Sequence, residues 1–218
     1  MSRPIVLIHG AWHGGWCFDW VAEPLRARGY DVHTPDLPFT GQEDDFAAAR
    51  HLIAEHPGAV VLGHSYGGAV ITAACSGLDV SHMVYLCAFV GEPADDVTPA
   101  GTTAALTAAI KPHEGRLSVD PELGVDVFYQ DCPAEGVARA QQNLRSMVMG
   151  RLPPVEGEPA WRSIPSTYVV CTEDNAIPPD DQRALARRCT NVVEWQVSHS
   201  PFFARPELMV DLLAGLAD

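Results

Sequence analysis

The chain has 218 residues, 47% of them hydrophobic and 19% charged, a balance that fills one compact core and excludes wholesale disorder. Its formal net charge of −14 repels phosphate backbones and anionic lipid surfaces, so neither nucleic acid nor a membrane is an expected partner. The six cysteines lack the close pairing of metal or redox sites and are expected as reduced, mostly buried thiols.

The opening MSRPIVLIHG runs straight into a strand pattern at Ile5 to Ile8, without the apolar stretch and cleavage site of a signal peptide. Cytoplasmic residence is the expectation. Further β-branched or apolar runs follow at Val32 to Thr34, Val60 to Leu62, Met83 to Phe89, Thr167 to Val170 and Val192 to Val197, with helical patterns between them. Their continuous hydrophobicity predicts parallel strands covered on both faces and joined by right-handed helical crossovers. The fold class is therefore α/β, a doubly wound and mostly parallel sheet.

From about residue 92 to about residue 164 this rhythm breaks. Thr98 to Ile110 and Ala134 to Met149 read as helices separated by Pro- and Gly-containing turns. The stretch is expected to form a short helical cap inserted before the last two strands, within a single domain whose core is about 1–91 and 165–218. Such an insertion lies over the carboxyl ends of the strands, where open α/β sheets bind ligands.

The sharpest motif is Val60-Val61-Leu62-Gly63-His64-Ser65-Tyr66-Gly67-Gly68, a strand running through GxSxG into a small-residue helix. This is the nucleophile elbow, in which a strained serine requires very small residues two before and two after it. A serine hydroxyl is a weak nucleophile until an imidazole takes its proton. The base is expected after the last strand, and only His199 follows Val192 to Val197. His33, His51, His56, His82 and His113 read as structural or exposed, and His64 as a supporting neighbour.

A carboxylate must hold that imidazole, and it should follow the penultimate strand. Asp174 is favoured there over Glu173, Asp180 and Asp181. Backbone amides for a developing oxyanion are expected from Tyr66, at the helix start, and from Ala11 in the loop His9-Gly10-Ala11-Trp12-His13-Gly14-Gly15-Trp16. Trp12, Tyr66, Phe128, Tyr129, Met147, Met149 and Phe202 are candidates to line an apolar substrate pocket. HExxH, GxGxxG and P-loop patterns are missing, so no metal or organic cofactor is implied, and no heptad or apolar stripe indicates an oligomeric state.

The segments VLIHGAWHGGW, VLGHSYGG and YVVCTEDNAIP together resemble the plant methylesterase and hydroxynitrile lyase branch of the α/β hydrolases. The resemblance covers nearly the whole core. It implies that Ala11 supplies an oxyanion amide and that Asp174 is the triad acid. The lyases of that branch carry threonine where Gly10 stands, glutamate where His64 stands and lysine where Ser200 stands. The resemblance thus implies a serine esterase acting on a small carboxylic ester, with a methyl ester as one candidate, in preference to a lyase. A lactone or thioester hydrolase and a hydrolase-fold small-molecule sensor are the alternatives.

Overall fold

The computed structural model describes residues 2–91, 102–148 and 158–218. Six parallel strands form one sheet in the order β2-β1-β3-β4-β7-β8. They are β1 (Ile5–Ile8), β2 (Val32–His33), β3 (Ala59–His64), β4 (Val80–Leu86), β7 (Ser166–Cys171) and β8 (Asn191–Trp195). The sheet is flanked by α1 (Asp19–Ala27), α2 (Gln42–Ala54), α3 (Tyr66–Ala74), α7 (Pro179–Ala186), α8 (Pro201–Ala204) and α9 (Pro206–Ala217). Helices α1 and α9 pack together as one pair, and α2 and α3 as another.

Every residue of β1, β3 and β7 is buried, as their continuous apolar stretches Ile5 to Ile8, Val60 to Leu62 and Tyr168 to Val170 lead one to expect. The edge strand β8 departs from that expectation: its pattern is mostly exposed, and Val192 is 51% exposed. Its neighbour β7 pairs on one side only of it, so an edge strand keeps one flank and part of its surface in water. The fourth strand begins three residues earlier than its apolar run suggests and stops at Leu86, because Cys87 turns the chain at φ 37.

The segment between β4 and β7 differs more from expectation. Its first described helix, α4, covers only Ala104–Ala109, and residues 98–101 of the expected helix lie outside the described residues. A two-stranded antiparallel hairpin follows, β5 (Ile110–His113) and β6 (Arg116–Val119). Its turn places Glu114 at φ 49 and Gly115 at φ 75, the left-handed pair that a tight two-residue hairpin needs. Then come α5 (Leu123–Phe128) and α6 (Ala134–Asn143). The helix expected to reach Met149 ends at Asn143, and Met147 instead bridges Leu117 as an extra antiparallel partner. Met149 lies outside the described residues.

Among the described residues, three backbone hydrogen bonds tie this segment to the core. Arg145 N–H donates to Trp12 O at 2.7 Å, Val148 N–H to Phe39 O at 3.1 Å, and Thr103 N–H to Ala176 O at 3.2 Å. Among the described residues no helix is long and apolar enough to cross a membrane.

Candidate active site

The site is built at the carboxyl ends of β1, β3, β7 and β8. Ser65 follows β3 directly and has φ 52 and ψ −118, a backbone that costs on the order of 1–3 kcal/mol for a residue with a side chain. Glycines make that turn possible. A Cβ on Gly63 would stand 2.4 Å from Gly67 O, and one on Gly67 would stand 2.5 Å from Ile8 O. Tyr66 opens α3, where helix geometry leaves its N–H without an intrahelical carbonyl. Its side chain points away into α2: the hydroxyl donates to Asp45 Oδ2 at 2.9 Å, and burial pushes its pKa up.

His199 and Asp174 form a buried pair, 2% and 5% exposed. His199 Nδ1 lies 2.6 Å from Asp174 Oδ2, and a carboxylate partner makes Nδ1 the protonated nitrogen. The other oxygen of Asp174 accepts the Ala176 and Ile177 amides at 2.7 and 3.0 Å. Gln182, wholly buried on α7, donates through Nε2 to Asp174 Oδ2 at 2.8 Å. Glu173, Asp180 and Asp181 make no contact of this kind: Asp180 pairs with Arg183 on the surface, and Glu173 with Gln196.

His64 joins the nucleophile elbow to the His199 loop. Its Nε2 donates to His199 O at 2.8 Å, and the two imidazole rings lie 4.7 Å apart. Burial and the neighbouring histidines hold its pKa well below 6.5, so the ring is neutral with Nδ1 as a bare acceptor. Cys87 Sγ is near the same carbonyl, at 3.6 Å. Ser65 and His199 are brought to one end of the sheet, while no hydrogen bond joins Ser65 Oγ to the His199 ring among the described residues. Serine–histidine contacts often tighten only when substrate binds.

The loop after β1 lies against the elbow, since a Cβ on Gly10 would stand 3.1 Å from Ser65 Cβ. Two histidines that sequence reasoning passed over fix its shape. His9 Nδ1 donates to Gly10 O at 2.9 Å, and its Nε2 accepts the Leu37 amide at 2.9 Å. Because the peptide unit is planar and trans, anchoring Gly10 O on one side turns the Ala11 N–H to the other. His13 Nδ1 donates to Ala11 O at 2.7 Å, and Tyr129 O–H donates to His13 Nε2 at 2.6 Å. Burial lowers the pKa of His9 to about 4 and of His13 to about 3. Both rings are therefore neutral, and each nitrogen has one assigned role.

The expected pocket residues separate on inspection. The Phe128 ring lies 5.6 Å from the His199 ring, beside the pair, and 6.1 Å from the Trp12 ring. Tyr129 is committed to His13, and Phe202 packs on Phe18, Phe203 and His64, a core position under the site. Met147 is wholly buried in the seam with Leu117.

The inserted segment also touches the loops that carry the pair. Ser198 N–H donates to Asp131 Oδ2 at 2.8 Å, Asn175 Nδ2 to Asp126 O at 2.8 Å, and Gln130 Nε2 to Glu173 O at 2.6 Å. Among the described residues, two groups of metal-ligating side chains have donor atoms within 4.8 Å of one another: His64, Cys87 and His199 in the site, and Asp31, His33 and His56 outside it. In the first group His64 Nε2 and His199 Nδ1 are already engaged in the hydrogen bonds above.

A parallel sheet with a strained serine after one central strand and a buried His–Asp pair after the last two strands is the ground plan of one fold family. The model of the alpha/beta hydrolase family matches residues 5–212, and the chain belongs to that family. Among curated proteins it is 33% identical to a pyrethroid hydrolase of Sphingobium wenxiniae, over 98% of this chain and 87% of that one. It is 28% identical to Methylesterase 2 of Arabidopsis thaliana, over 100% of this chain and 97% of that one. The crystal structure of a pyrethroid hydrolase from Sphingobium faniae superposes with a TM-score of 0.86 at 28% identity, covering 100% of this chain and 98% of the other.

Proposed function

We propose that the protein is a serine esterase that hydrolyses a small carboxylic ester through an acyl-enzyme, with Ser65 as nucleophile, His199 as base and Asp174 as the acid that orients it. The observation that carries this reading is the buried His199–Asp174 pair at 2.6 Å standing at the same sheet end as a serine held at φ 52. The relatives named as pyrethroid hydrolase and methylesterase support ester hydrolysis as the reaction class.

Ser65 Oγ attacks the ester carbonyl as His199 Nε2 takes its proton, and Asp174 stabilises the imidazolium that forms. The Ala11 and Tyr66 amides receive the oxyanion; one such donor is worth about 3–4 kcal/mol. His199 returns the proton to the departing alcohol, then activates water against the acyl-enzyme. Trp12 and Phe128 bound the acyl side as apolar walls. Lactones and thioesters undergo the same steps.

Gly10 and His64 argue together against the lyase chemistry of the neighbouring branch. A Cβ on Gly10 would stand 2.9 Å from His64 Nδ1, so a threonine there requires a different residue at position 64.

The test is turnover of p-nitrophenyl and methyl esters with fluorophosphonate labelling read by intact mass. Wild type should gain one adduct and turn over esters, and Ser65→Ala should lose both, with a rate loss on the order of 10³-fold or more. Ester turnover surviving in Ser65→Ala sinks the assignment.

A further inference from the structure

Gln182 makes contacts that neither helix packing nor the sheet requires. It sits on the second turn of α7 with no exposed surface, although a glutamine is seldom fully buried without specific partners. Its Oε1 accepts the Cys171 amide at 2.9 Å, at the end of β7. Its Nε2 donates to Asp174 Oδ2 at 2.8 Å and to Ile177 O at 2.9 Å. The primary amide thus bridges the strand end, the turn that follows it and the carboxylate that turn carries.

The oxygen that Gln182 contacts is decisive. Asp174 Oδ1 is saturated by the Ala176 and Ile177 amides, which fix the carboxylate as part of the turn. Oδ2 is the oxygen that receives His199 Nδ1, and Gln182 Nε2 is a second side-chain donor to it. With Oδ2 held from the α7 side, rotation of the carboxylate about its Cβ–Cγ bond would break bonds at both oxygens. The lone pair facing His199 is then fixed in direction before any substrate arrives, which is the preorganisation that acid–base catalysis depends on.

We infer that Gln182 is a positioning residue of the catalytic machinery, holding Asp174 Oδ2 in the orientation that aligns His199. The inference rests on the esterase reading above for its activity readout, and a spectroscopic readout makes it separable from that reading. Two substitutions divide the side chain's roles. Gln182→Leu removes both the strand-end contact and the donor. Gln182→Glu keeps an oxygen to accept the Cys171 amide, and replaces the donor that faces Asp174 with a second carboxylate oxygen.

The experiment compares wild type, Gln182→Leu and Gln182→Glu in three measurements. They are kcat and KM on one p-nitrophenyl ester, the rate of fluorophosphonate labelling, and the far-downfield proton signal of His199 Nδ1–H, assigned by its loss in His199→Ala. The expected result is a fall of about tenfold to a hundredfold in kcat and in labelling rate for both variants, as for one lost charge-assisted hydrogen bond. KM stays within twofold, and the Nδ1–H signal shifts or broadens. If Gln182→Leu fails to fold, Gln182→Glu carries the test, since it retains the acceptor for the Cys171 amide. Folded variants with an unchanged Nδ1–H signal and wild-type kcat overturn the inference while leaving the esterase reading intact. If wild type itself neither labels nor turns over esters, the esterase reading fails, and an unmoved Nδ1–H signal in the variants then overturns the Gln182 inference on its own evidence.

Discussion

The two ends of the polypeptide and the segment between β4 and β7 are held by different means. In the core, glycines bring backbone against backbone at the elbow, and buried histidines hold the β1 loop by nitrogens with no spare capacity. The inserted segment is held by a hairpin, by short helices and by a seam of bonds to Trp12 and Phe39, both of which carry positive φ, 63 and 58. The contrast separates two tasks. Chemistry needs fixed atoms, and selection among substrates needs a surface whose sequence can vary without disturbing them.

The sharpest way to break this comparison is acid. The pKa of His9 is lowered to about 4 and that of His13 to about 3 by burial, against about 6.5 in an unfolded chain. Between those values the unfolded chain binds more protons, so stability is complete above about pH 6.5 and falls as pH drops. Burial holds His64 well below 6.5 as well, and three such groups give a slope approaching about 4 kcal/mol per pH unit. Urea midpoints between pH 7 and pH 5 measure it. His13→Gln should cut the slope by about a third; a slope equal to wild type would mean that these rings do not govern acid sensitivity.

Next in size is the elbow packing. Gly67→Ala puts a methyl group 2.5 Å from Ile8 O and 2.8 Å from His9 O, both backbone atoms of the sheet and the β1 loop. A loss of about 3 kcal/mol is expected, read by chemical denaturation. An unchanged midpoint would show that strand and helix can separate without cost, contrary to the close approach described.

The smallest effect belongs to the seam. Arg145 donates to Leu37 O at 2.6 Å and lies over the Phe39 ring at 4.7 Å. Arg145→Ala should change KM for bulky esters by about threefold, a difference near 0.7 kcal/mol, with kcat for a small ester unchanged. A fall in kcat equal for all esters would place the seam with the fixed atoms and erase the distinction.

The same contrast governs what could be read from the sequence. Strands β1, β3 and β7 are legible because a strand buried on both faces is apolar along most of its length, and GHSYG because the elbow admits only small residues at its flanks. The inserted segment gave no such signal. Pro112 sits inside β5, and the turn that makes the hairpin depends on Glu114, a residue that rarely adopts positive φ. The helix drawn to Met149 fails because Arg145 and Val148 satisfy their amides on Trp12 and Phe39, partners far away in the chain. Gln182, His9 and His13 were missed for a related reason. Their roles are set by which atoms lie near a buried ring or amide, and a lone polar residue in a helix or loop carries no periodicity that marks it. HGAWH nevertheless places both histidines of the β1 loop two residues from Ala11, and that clustering is the available signal.

The bonds from Asp131 to Ser198, from Asn175 to Asp126 and from Gln130 to Glu173 bear on how such a protein can be rebuilt. Exchange of the inserted segment with that of a relative, the obvious route to a new substrate range, cuts through the supports of the turns that bear Asp174 and His199. A graft that ends at β4 and β7 brings new walls and leaves those turns without their outer partners. A chimera made from a longer exchange, one that carries residues 173–175 and 198 together with 126–131, keeps each turn with the segment that steadies it. Inheritance by the same rule would make these stretches vary together, as one unit of exchange split across the chain.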